Sequence, residues 1–580
     1  MKLNLLKYTA FCVAALALAS CNDFLDKVPD TRVELNSPEQ LRLLMVNAYP
    51  SSNYSLVCEF SSDNYIDNNS PDENGMRYNL SSYNRIDDEL FAWEDAKASS
   101  GNDTPSDIWE AYYHSIACAN AVLEKIPEFE ANTELKGRDM LPAIKGEALL
   151  VRAFSHFILA NLFCEAYRGP ELSKNILGIP YITEPETIVH VVPERGNLAE
   201  VYDMIEKDLL EGISLINDGL YEVPKYHFNK AAANAFAARF YLFKRDYKKV
   251  LAYCDAAFGG PDVDPTPYMS DIWNQVSNFY YISDFGRYQT NITQQRNFML
   301  IATYSTWLRH ISGSKRYGCN REAKRATIQG PGPTWSQYQW RNSKGETFAM
   351  HPCFNGACGT NGKSEYGLYF AGTAAELFEY TDKLAGIGFA HQVRAEFTGE
   401  ETLITRAEAK AYLGDIEGAI ADLKIWDQAH RNSPNVTPGE DHFDELTYAQ
   451  IVKFYQTKDP GFGIVKTLNI DEICPSTEYA VNDNIEPLLQ CVLHYRRIEL
   501  IHTGMRWFDL KRYGIEISHA IGKEPRIETL TKLDPRRALQ IPNEVIAAGI
   551  EPNNRSNVAL SSGAEYSKIT PEPKAELISK

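Results

Sequence analysis

The chain has 580 residues, of which 77 are acidic and 58 are basic, and its formal net charge is -19. A chain of this length is too long for one compact core and is long enough for two lobes or a repeat array. Its acidic balance argues against nucleic acid or anionic lipid as the main partner, because both require a basic surface. Aromatic residues make up 12%, a content that suits either a wet binding surface or packing between helices.

The amino terminus has the pattern of a secretory signal. Lys2 and Lys7 precede a short apolar run at 11–19, and small residues stand directly before Cys21. This pattern is typical of a bacterial lipobox, in which Cys21 is acylated and becomes the first mature residue. An ordinary signal peptide that happens to contain a cysteine is the alternative, while the run is too short to span a bilayer. We therefore predict a signal peptide at 1–20 and a lipidated tether at 21–37, anchored through acyl chains.

Downstream of Cys21 we expect neither a transmembrane helix nor a disulfide framework. Nine cysteines follow Cys21, and an odd number in an exported chain of this size allows one or two bridges at most. Cys353 and Cys358, in a glycine-rich loop, are the best local pair. Four others lie in apolar helical patterns and are predicted to be small buried hydrophobic residues, namely Cys118, Cys164, Cys254 and Cys491.

The first half of the chain has strong helical periodicity outside one segment. Helices are predicted at 38–48, 106–126, about 141–166 and 198–216, with Pro127 ending the second. Residues 51–106 lose this period and are rich in Ser, Asn, Asp and Tyr. We predict a loop there with one strand at most, of the kind that carries binding function when a rigid scaffold holds it.

Two helical hairpins have similar sequences. In residues 229–258, small Ala235 and Ala238 and the ring of Tyr241 precede a turn at 244–246. A second hairpin begins at Thr405 and turns at 414–415. The spacing is similar to that of tetratricopeptide helix pairs, in which alanines set the closest approach. Any helical hairpin could have this pattern, but two similar units favour a repeat.

A long irregular insertion separates the two hairpins, and helical pattern returns at 485–500 and 504–513. A loop of this length is usually functional or disordered, and its many large aromatic residues argue against disorder. Within it, residues 356–364 imitate a phosphate-binding loop. Five residues separate Gly356 from Gly362 where four are needed, and no helix pattern follows Ser364, so we reject this motif.

The sequence offers no clear catalytic or metal chemistry. An acidic loop lacks the EF-hand Glu, since Tyr78 stands at the twelfth position, although an irregular calcium site remains open at Asp63, Asp67, Asn69 and Asp72. His351, Cys353 and Cys358 lack a fourth zinc ligand. Other carboxylates are expected on a solvated face, among them Asp87, Asp88, Glu400 and Glu401. We therefore predict no catalytic residue, no metal and no cofactor.

Several segments together resemble the SusD/RagB family of outer-membrane lipoproteins. The matching segments follow the family's order along most of the chain: Cys21–Asp26 with Pro29, Trp109-x-x-x-Tyr113-x-x-Ile116-x-x-x-Asn120, Gly146-Glu147-Ala148 with Arg152-Ala153-Phe154, Ala231–Tyr247, Arg406–Ala409, Arg497–Leu500, Gly504–Arg512 and Ile541–Glu544. The chain departs from the family pattern at Cys164, Tyr495 and His502–Thr503, positions that we interpret as structural.

The resemblance implies a mainly α fold, a TPR-like α-superhelical scaffold with a loop-rich, aromatic-bearing insertion. It divides the chain into a helical region at 38–258, a ligand-binding insertion at 259–375 and a second helical region at 376–580. It also implies a function without enzymatic activity. Members of the family sit on the cell surface, capture nutrients, commonly oligosaccharides, and pass them to a SusC-type TonB-dependent transporter.

Aromatic rings and amides are the side chains expected to hold a sugar. The apolar face of a sugar ring stacks on exposed aromatic rings, while amide groups bind its hydroxyls. We therefore predict a ligand site at Trp93, Asn102, Trp273, Trp307, Trp335, Tyr338 and Trp340. For any one tryptophan, packing in the core is the ordinary alternative. Other functions left open are peptide cargo on the same scaffold, a lipid-anchored hydrolase and an assembly protein.

Overall fold

The computed structural model describes most of the chain between residues 35 and 555. The described residues are 35–71, 75, 77–97, 100–185, 192–270, 282–311, 315–319, 323, 326–327, 330–334, 340–341, 347–348, 374–431, 445–456 and 463–555. Several predictions fall outside this part and are not tested by it. They concern Cys21, Asp72, Trp273, Trp335, Tyr338, the phosphate-loop imitation at 356–364, and the group formed by His351, Cys353 and Cys358.

The described fold is mainly helical. Its α-helices are α1 (Pro38–Val46), α2 (Ser55–Ser61), α3 (Arg85–Phe91), α4 (Pro105–Ala131), α5 (Leu141–Phe163), α6 (Gly169–Ser173), α7 (Leu198–Leu215), α8 (Lys230–Lys244), α9 (Tyr247–Phe258), α10 (Ile282–Gln289), α11 (Trp307–Ile311), α12 (Gly399–Tyr412), α13 (Ile416–Arg431), α14 (Tyr448–Gln456), α15 (Ile470–Ile473), α16 (Glu486–Glu499), α17 (Met505–Arg512) and α18 (Asn543–Ala547).

The strands are few and mostly short. They are β1 (Ile66–Asp67), β2 (Asn297–Thr303), β3 (Tyr317–Gly318), β4 (Trp340–Arg341), β5 (Thr347–Phe348), β6 (Ala374–Asp382), β7 (Ile387–Thr398), β8 (Ile517–Ile521) and β9 (Arg526–Leu530). Among the described strands, β2, β7 and β6 form a three-stranded antiparallel sheet in that order, and the other pairs are two-stranded.

Helix α5 is the central element of the core, and it packs between α4 and α7. The closest approach to α7 is made by two glycines, because a Cβ at Gly146 would stand 3.0 Å from the carbonyl oxygen of Gly212. The segment Arg138–Phe163 is long and apolar enough to cross a membrane by length and composition, which corrects our expectation that no such segment follows the signal. Its apolar window is wholly buried within the fold.

The two predicted helix pairs are confirmed as α8–α9 and α12–α13, and α9 packs on α12 although the long insertion separates them in sequence. Arg245 takes a left-handed conformation (φ 59°) between α8 and α9. Arg406 of α12 binds both neighbouring helices, with 2.7 Å to Asp422 on α13 and 3.0 Å to Asp255 on α9. A partly buried ion pair, Arg406 with Asp255, therefore links the two hairpins into one scaffold.

Part of the three-stranded sheet consists of β6 and β7 alone, because β2 is shorter than the strand it pairs with. β2 pairs with β7 from Asn297 opposite Thr398 to Thr303 opposite Gln392. β6 pairs with β7 farther along, from Ala374 opposite Arg394 to the turn after Asp382. Residues 377–391 therefore extend beyond the end of β2 as a two-stranded hairpin, which we call the ribbon. A two-stranded ribbon has little stability of its own in water, so its base in the sheet supports it.

Most predicted helices lie where expected, with two corrections in the first half. Residues 51–106 contain α2 and α3 in addition to the strand β1. Helix α2 shows no amphipathic period because all seven of its residues are buried. Pro127 does not end α4, which continues to Ala131. Because Pro127 faces solvent, water can bind the carbonyl group that loses its intrahelical partner.

The cysteine prediction holds for three of the four residues that it named. Cys164, Cys254 and Cys491 are buried free thiols. Cys118 is only partly buried, and its Sγ lies 3.6 Å from Nε2 of His114 on the same helix.

Candidate ligand-binding face

Trp93, predicted to contact ligand, lies in the core. Its side chain is 4% exposed, and its indole stacks on the ring of His519 with centroids 4.1 Å apart. Its Nε1 donates to the carbonyl oxygen of Ser61 at 2.9 Å, and the guanidinium of Arg536 stands 5.9 Å from its ring. A sugar could not stack on Trp93 without displacing these neighbours, so the structure argues against a direct contact.

Trp307 is also buried, with 1% of its side chain exposed. It lines a small internal cavity of about 30 Å³ together with Arg296 and Arg394. A cavity of this size holds one or two water molecules and is too small for a sugar ring. Trp307 therefore anchors α11 to the core.

Among the predicted ligand residues whose side chains the structure describes, Asn102 is exposed. The next residue, Asp103, is buried and has a left-handed conformation (φ 64°). Its Oδ2 accepts a hydrogen bond of 2.8 Å from the backbone N–H of Thr306. Burial raises the pKa of Asp103 to about 7. This contact joins the early loop at Asn102 to the segment between β2 and α11.

Tyr304 in that segment presents an exposed ring that the sequence analysis missed. It is 47% exposed, and its backbone N–H donates to the carbonyl oxygen of Ser51 at 2.7 Å. Its ring centroid lies 5.9 Å from those of Phe389 and His391 on the ribbon. His391 in turn lies 3.2 Å from a carboxylate oxygen of Glu379. We call Tyr304, Phe389 and His391 the Tyr304 cluster.

A second exposed ring, Tyr83, stands beside α11. Its ring lies 4.5 Å from that of His310, and Nζ of Lys315 lies 4.8 Å from its centroid. Arg309 of α11 donates to Glu376 of β6 at 2.7 Å, which ties this region to the sheet. We call Tyr83, Arg309 and Lys315 the Tyr83 cluster.

The ribbon carries large exposed apolar residues on both of its faces. Leu377 lies on the same face of the ribbon as Phe389 and His391 of the Tyr304 cluster, because residue 377 pairs with 391 and residue 379 with 389. Phe378 and Tyr380 lie on the opposite face, with ring centroids 4.8 Å apart. Large apolar residues on two runs joined by a short turn, Leu377, Phe378 and Tyr380 with Ile387 and Phe389, are the sequence signal that could have indicated this surface.

The acidic loop proposed as a possible calcium site is neutralised by basic side chains. Asp63 Oδ1 lies 2.8 Å from Nε of Arg506, and its other oxygen lies 3.3 Å from Lys466. Although burial alone would raise it, Arg497 and Arg506 hold the pKa of Asp63 well below its usual value. Asp67 binds Arg316 at 2.7 Å. Within the described residues, no group of three or more His, Cys, Asp or Glu side chains is placed to hold a metal ion.

The expectation of a solvated carboxylate face is wrong for Asp87, Glu400 and Glu401, which are buried. Glu400 accepts a hydrogen bond of 2.6 Å from Arg296, and Glu401 accepts one of 2.6 Å from Arg239. These carboxylates are buried because they are paired, as interior charges must be. They stabilise the scaffold beneath the exposed rings.

Comparison with known proteins agrees with this architecture. Residues 23–242 match the family model SusD-like_3, described as starch-binding associating with outer membrane. A SusD superfamily protein from Bacteroides fragilis shares 16% identity over 89% of this chain and 98% of its own, with a TM-score of 0.56. A SusD-like protein from the same species shares 13% identity over 89% and 97%, with a TM-score of 0.52. No curated protein sequence matches the chain.

At these identities the solved structures show the fold, and the family model covers the amino-terminal part of the chain. The mainly helical scaffold agrees with the fold of these solved structures. Residues 23–242 are therefore similar to a family described as starch-binding and associated with the outer membrane, and the fold of the chain is that of the solved SusD superfamily structures.

Proposed function

We propose that the protein is a cell-surface lipoprotein that binds an oligosaccharide and delivers it to a SusC-type TonB-dependent transporter in the outer membrane. The observation that carries the proposal is the Tyr304 cluster, where two exposed rings stand beside polar side chains. The description of the matching family as starch-binding supports the same ligand class.

The Tyr304 cluster has the chemistry that a sugar requires. Tyr304 and Phe389 are 47% and 55% exposed, so each ring can take the apolar face of a pyranose. His391 and Glu379 beside them, and Asn102 on the adjoining loop, are able to bind hydroxyl groups. The carboxylate of Glu379 already stands within this surface, 3.2 Å from His391, and would repel a second negative charge. A neutral glycan therefore suits this surface better than an anionic one.

The proposed site extends to residues outside the described part of the chain. Trp273, Trp335 and Tyr338, and Trp340 in β4, remain proposed ligand contacts because aromatic residues of the insertion would add further stacking surfaces. Trp93 and Trp307 are replaced in this proposal by the exposed rings of Tyr304 and Phe389.

Lipidation at Cys21 would hold this surface at the membrane, and the acidic residues that follow, Asp23 and Asp26, resemble the export signal of surface lipoproteins. The protein would then face the cell exterior as a lid on its transporter. Protease treatment of intact cells tests this orientation, with cleavage of the protein expected. Complete protection in intact cells, with cleavage after lysis, would place the protein in the periplasm instead.

Isothermal titration against a panel of neutral oligosaccharides tests the ligand site. Tyr304→Ala and Phe389→Ala should each weaken binding roughly two- to tenfold, the effect of losing about 0.5–1.5 kcal/mol of ring contact. Tyr226→Ala removes an exposed tyrosine of the helical scaffold and should leave affinity unchanged. Equal affinities for all variants would refute the site, and binding of peptides without any glycan would change the cargo class.

A further inference from the structure

A second concave surface, which shares no lining residue with the Tyr304 cluster, lies between α4, the segment 180–185, residues 192–193 and the α18 region. Its volume is about 780 Å³, within the range of ligand pockets. The floor and walls are apolar and include Ile116, Ile182, Val545 and Ile550. We call this surface the α4 groove.

One wall of the α4 groove is held in place by hydrogen bonds from buried elements. The Tyr113 hydroxyl donates to the carbonyl oxygen of Pro180 at 2.8 Å, and Asn120 Nδ2 donates to that of Ile182 at 3.0 Å. Arg152 donates to the carbonyl oxygen of Thr183 at 3.2 Å. These three contacts fix the backbone of the segment, so the groove is formed without a ligand.

The carboxylates that line the groove give it a negative charge. Glu110 and Glu184 line the groove and are exposed. The other titratable side chains of the described lining are His114 and Tyr113, and this lining contains no Lys or Arg. An apolar groove edged by carboxylates is complementary to an apolar ligand that carries a positive charge. A glycan, which needs many hydrogen-bonding groups, fits this lining poorly, and an acyl chain would leave the carboxylates unused.

We propose that the α4 groove binds an extended peptide segment in which a lysine or arginine is flanked by apolar residues. The apolar side chains pack on Ile182, Val192 and Val545, and the cation pairs with Glu110 or Glu184. The site is separate from the Tyr304 cluster, so this proposal does not depend on glycan binding.

Three capped tripeptides, Ile-Lys-Ile, Ile-Gln-Ile and Ile-Glu-Ile, test the proposal by titration into the full protein. The lysine peptide should bind at least threefold more tightly than the glutamine peptide, and the glutamate peptide should bind most weakly. The double variant Glu110→Gln/Glu184→Gln should remove the difference between the lysine and glutamine peptides. Glu128→Gln, an exposed change farther along α4, should keep it.

A variant that fills the groove separates binding from general charge attraction. Ala117 is exposed and lines the groove, so Ala117→Trp should abolish binding of all three peptides while thermal unfolding and glycan affinity stay unchanged. Equal affinity of the three peptides, or lysine-peptide binding that survives Ala117→Trp, would overturn the proposal. Absence of binding by the lysine peptide to the unaltered protein would overturn it as well.

Discussion

The interior of the scaffold and the exposed rings above it use charge and aromatic surface in opposite ways. In the interior, Arg239 donates to both Glu396 and Glu401 at 2.6 Å, and all three side chains are buried. On the Tyr304 cluster the rings are half exposed and the nearby ion pairs face water. Charged groups of the interior are paired with one another, whereas the exposed rings make few contacts and are free to bind a ligand. Stability and binding should therefore be separable by mutation.

The largest effect is expected for Arg239→Ala, which leaves Glu401 buried without its partner. Loss of one member of a buried pair costs about 3–5 kcal/mol, so the midpoint of chemical denaturation should fall sharply. Lys174→Ala breaks an exposed pair with Glu171 and should cost less than about 1 kcal/mol. Similar losses for both variants would show that burial does not decide the value of these pairs.

Asp103→Asn should change the pH dependence of stability. Burial raises the pKa of Asp103 to about 7, so between about pH 4 and pH 7 the folded state keeps a proton that the unfolded state releases. The carboxyl group therefore lowers stability as pH rises through this window. The variant, which still offers an oxygen to the N–H of Thr306, should gain up to about 4 kcal/mol over the unaltered protein at pH 8.

The gain for Asp103→Asn should shrink as pH falls toward 4, as followed by thermal unfolding at several pH values. Asp139→Asn, an exposed change, serves as the control for the loss of one carboxylate. A difference between Asp103→Asn and the unaltered protein that stays constant from pH 4 to pH 8 would contradict the assigned protonation.

Gly146→Ala tests the closest approach of α5 and α7. Alanine is the better helix former by about 1 kcal/mol, yet its Cβ would stand 2.8 Å from that of Leu215. We expect a net loss of about 1–3 kcal/mol from overpacking, measured by denaturant titration. Ser214→Ala on the exposed side of α7 should be close to neutral, and a stabilised Gly146→Ala variant would show that the helices can separate without cost.

The smallest change in stability is expected for Tyr304→Ala, about 0.5 kcal/mol or less, because the ring is half exposed. Its glycan affinity should nevertheless fall. Trp307→Ala in the same segment should cost about 3–5 kcal/mol, because it empties a buried site. Calorimetric unfolding and glycan titration of both variants measure the contrast. A large loss of stability for Tyr304→Ala would place that ring among the structural residues.

Sequence periodicity predicted the long helices and both tetratricopeptide-like pairs, because one face of each helix must be buried and the spacing records that face. It failed for α2, which is buried on all sides, and for Pro127, which faces solvent. At the candidate site, the predicted residues Asn102 and Trp307 lie close to the exposed ring of Tyr304 that we propose as a ligand contact, but Trp93 and Trp307 are themselves buried. A tryptophan has the largest surface to bury, so Trp93 and Trp307 pack inward, and Tyr304, three residues before Trp307, is left exposed.

The sequence by itself determined the helical scaffold, its family resemblance and the amino-terminal pattern at Cys21, because these follow from local periodicity and short motifs. The tertiary structure alone decided which carboxylates are buried, since Glu401 meets its partner Arg239 from a distant part of the chain. It also decided which rings face solvent, because the exposure of Tyr304 and Phe389 depends on the register by which the ribbon extends past β2. Contacts between distant segments leave no local pattern from which they could be predicted.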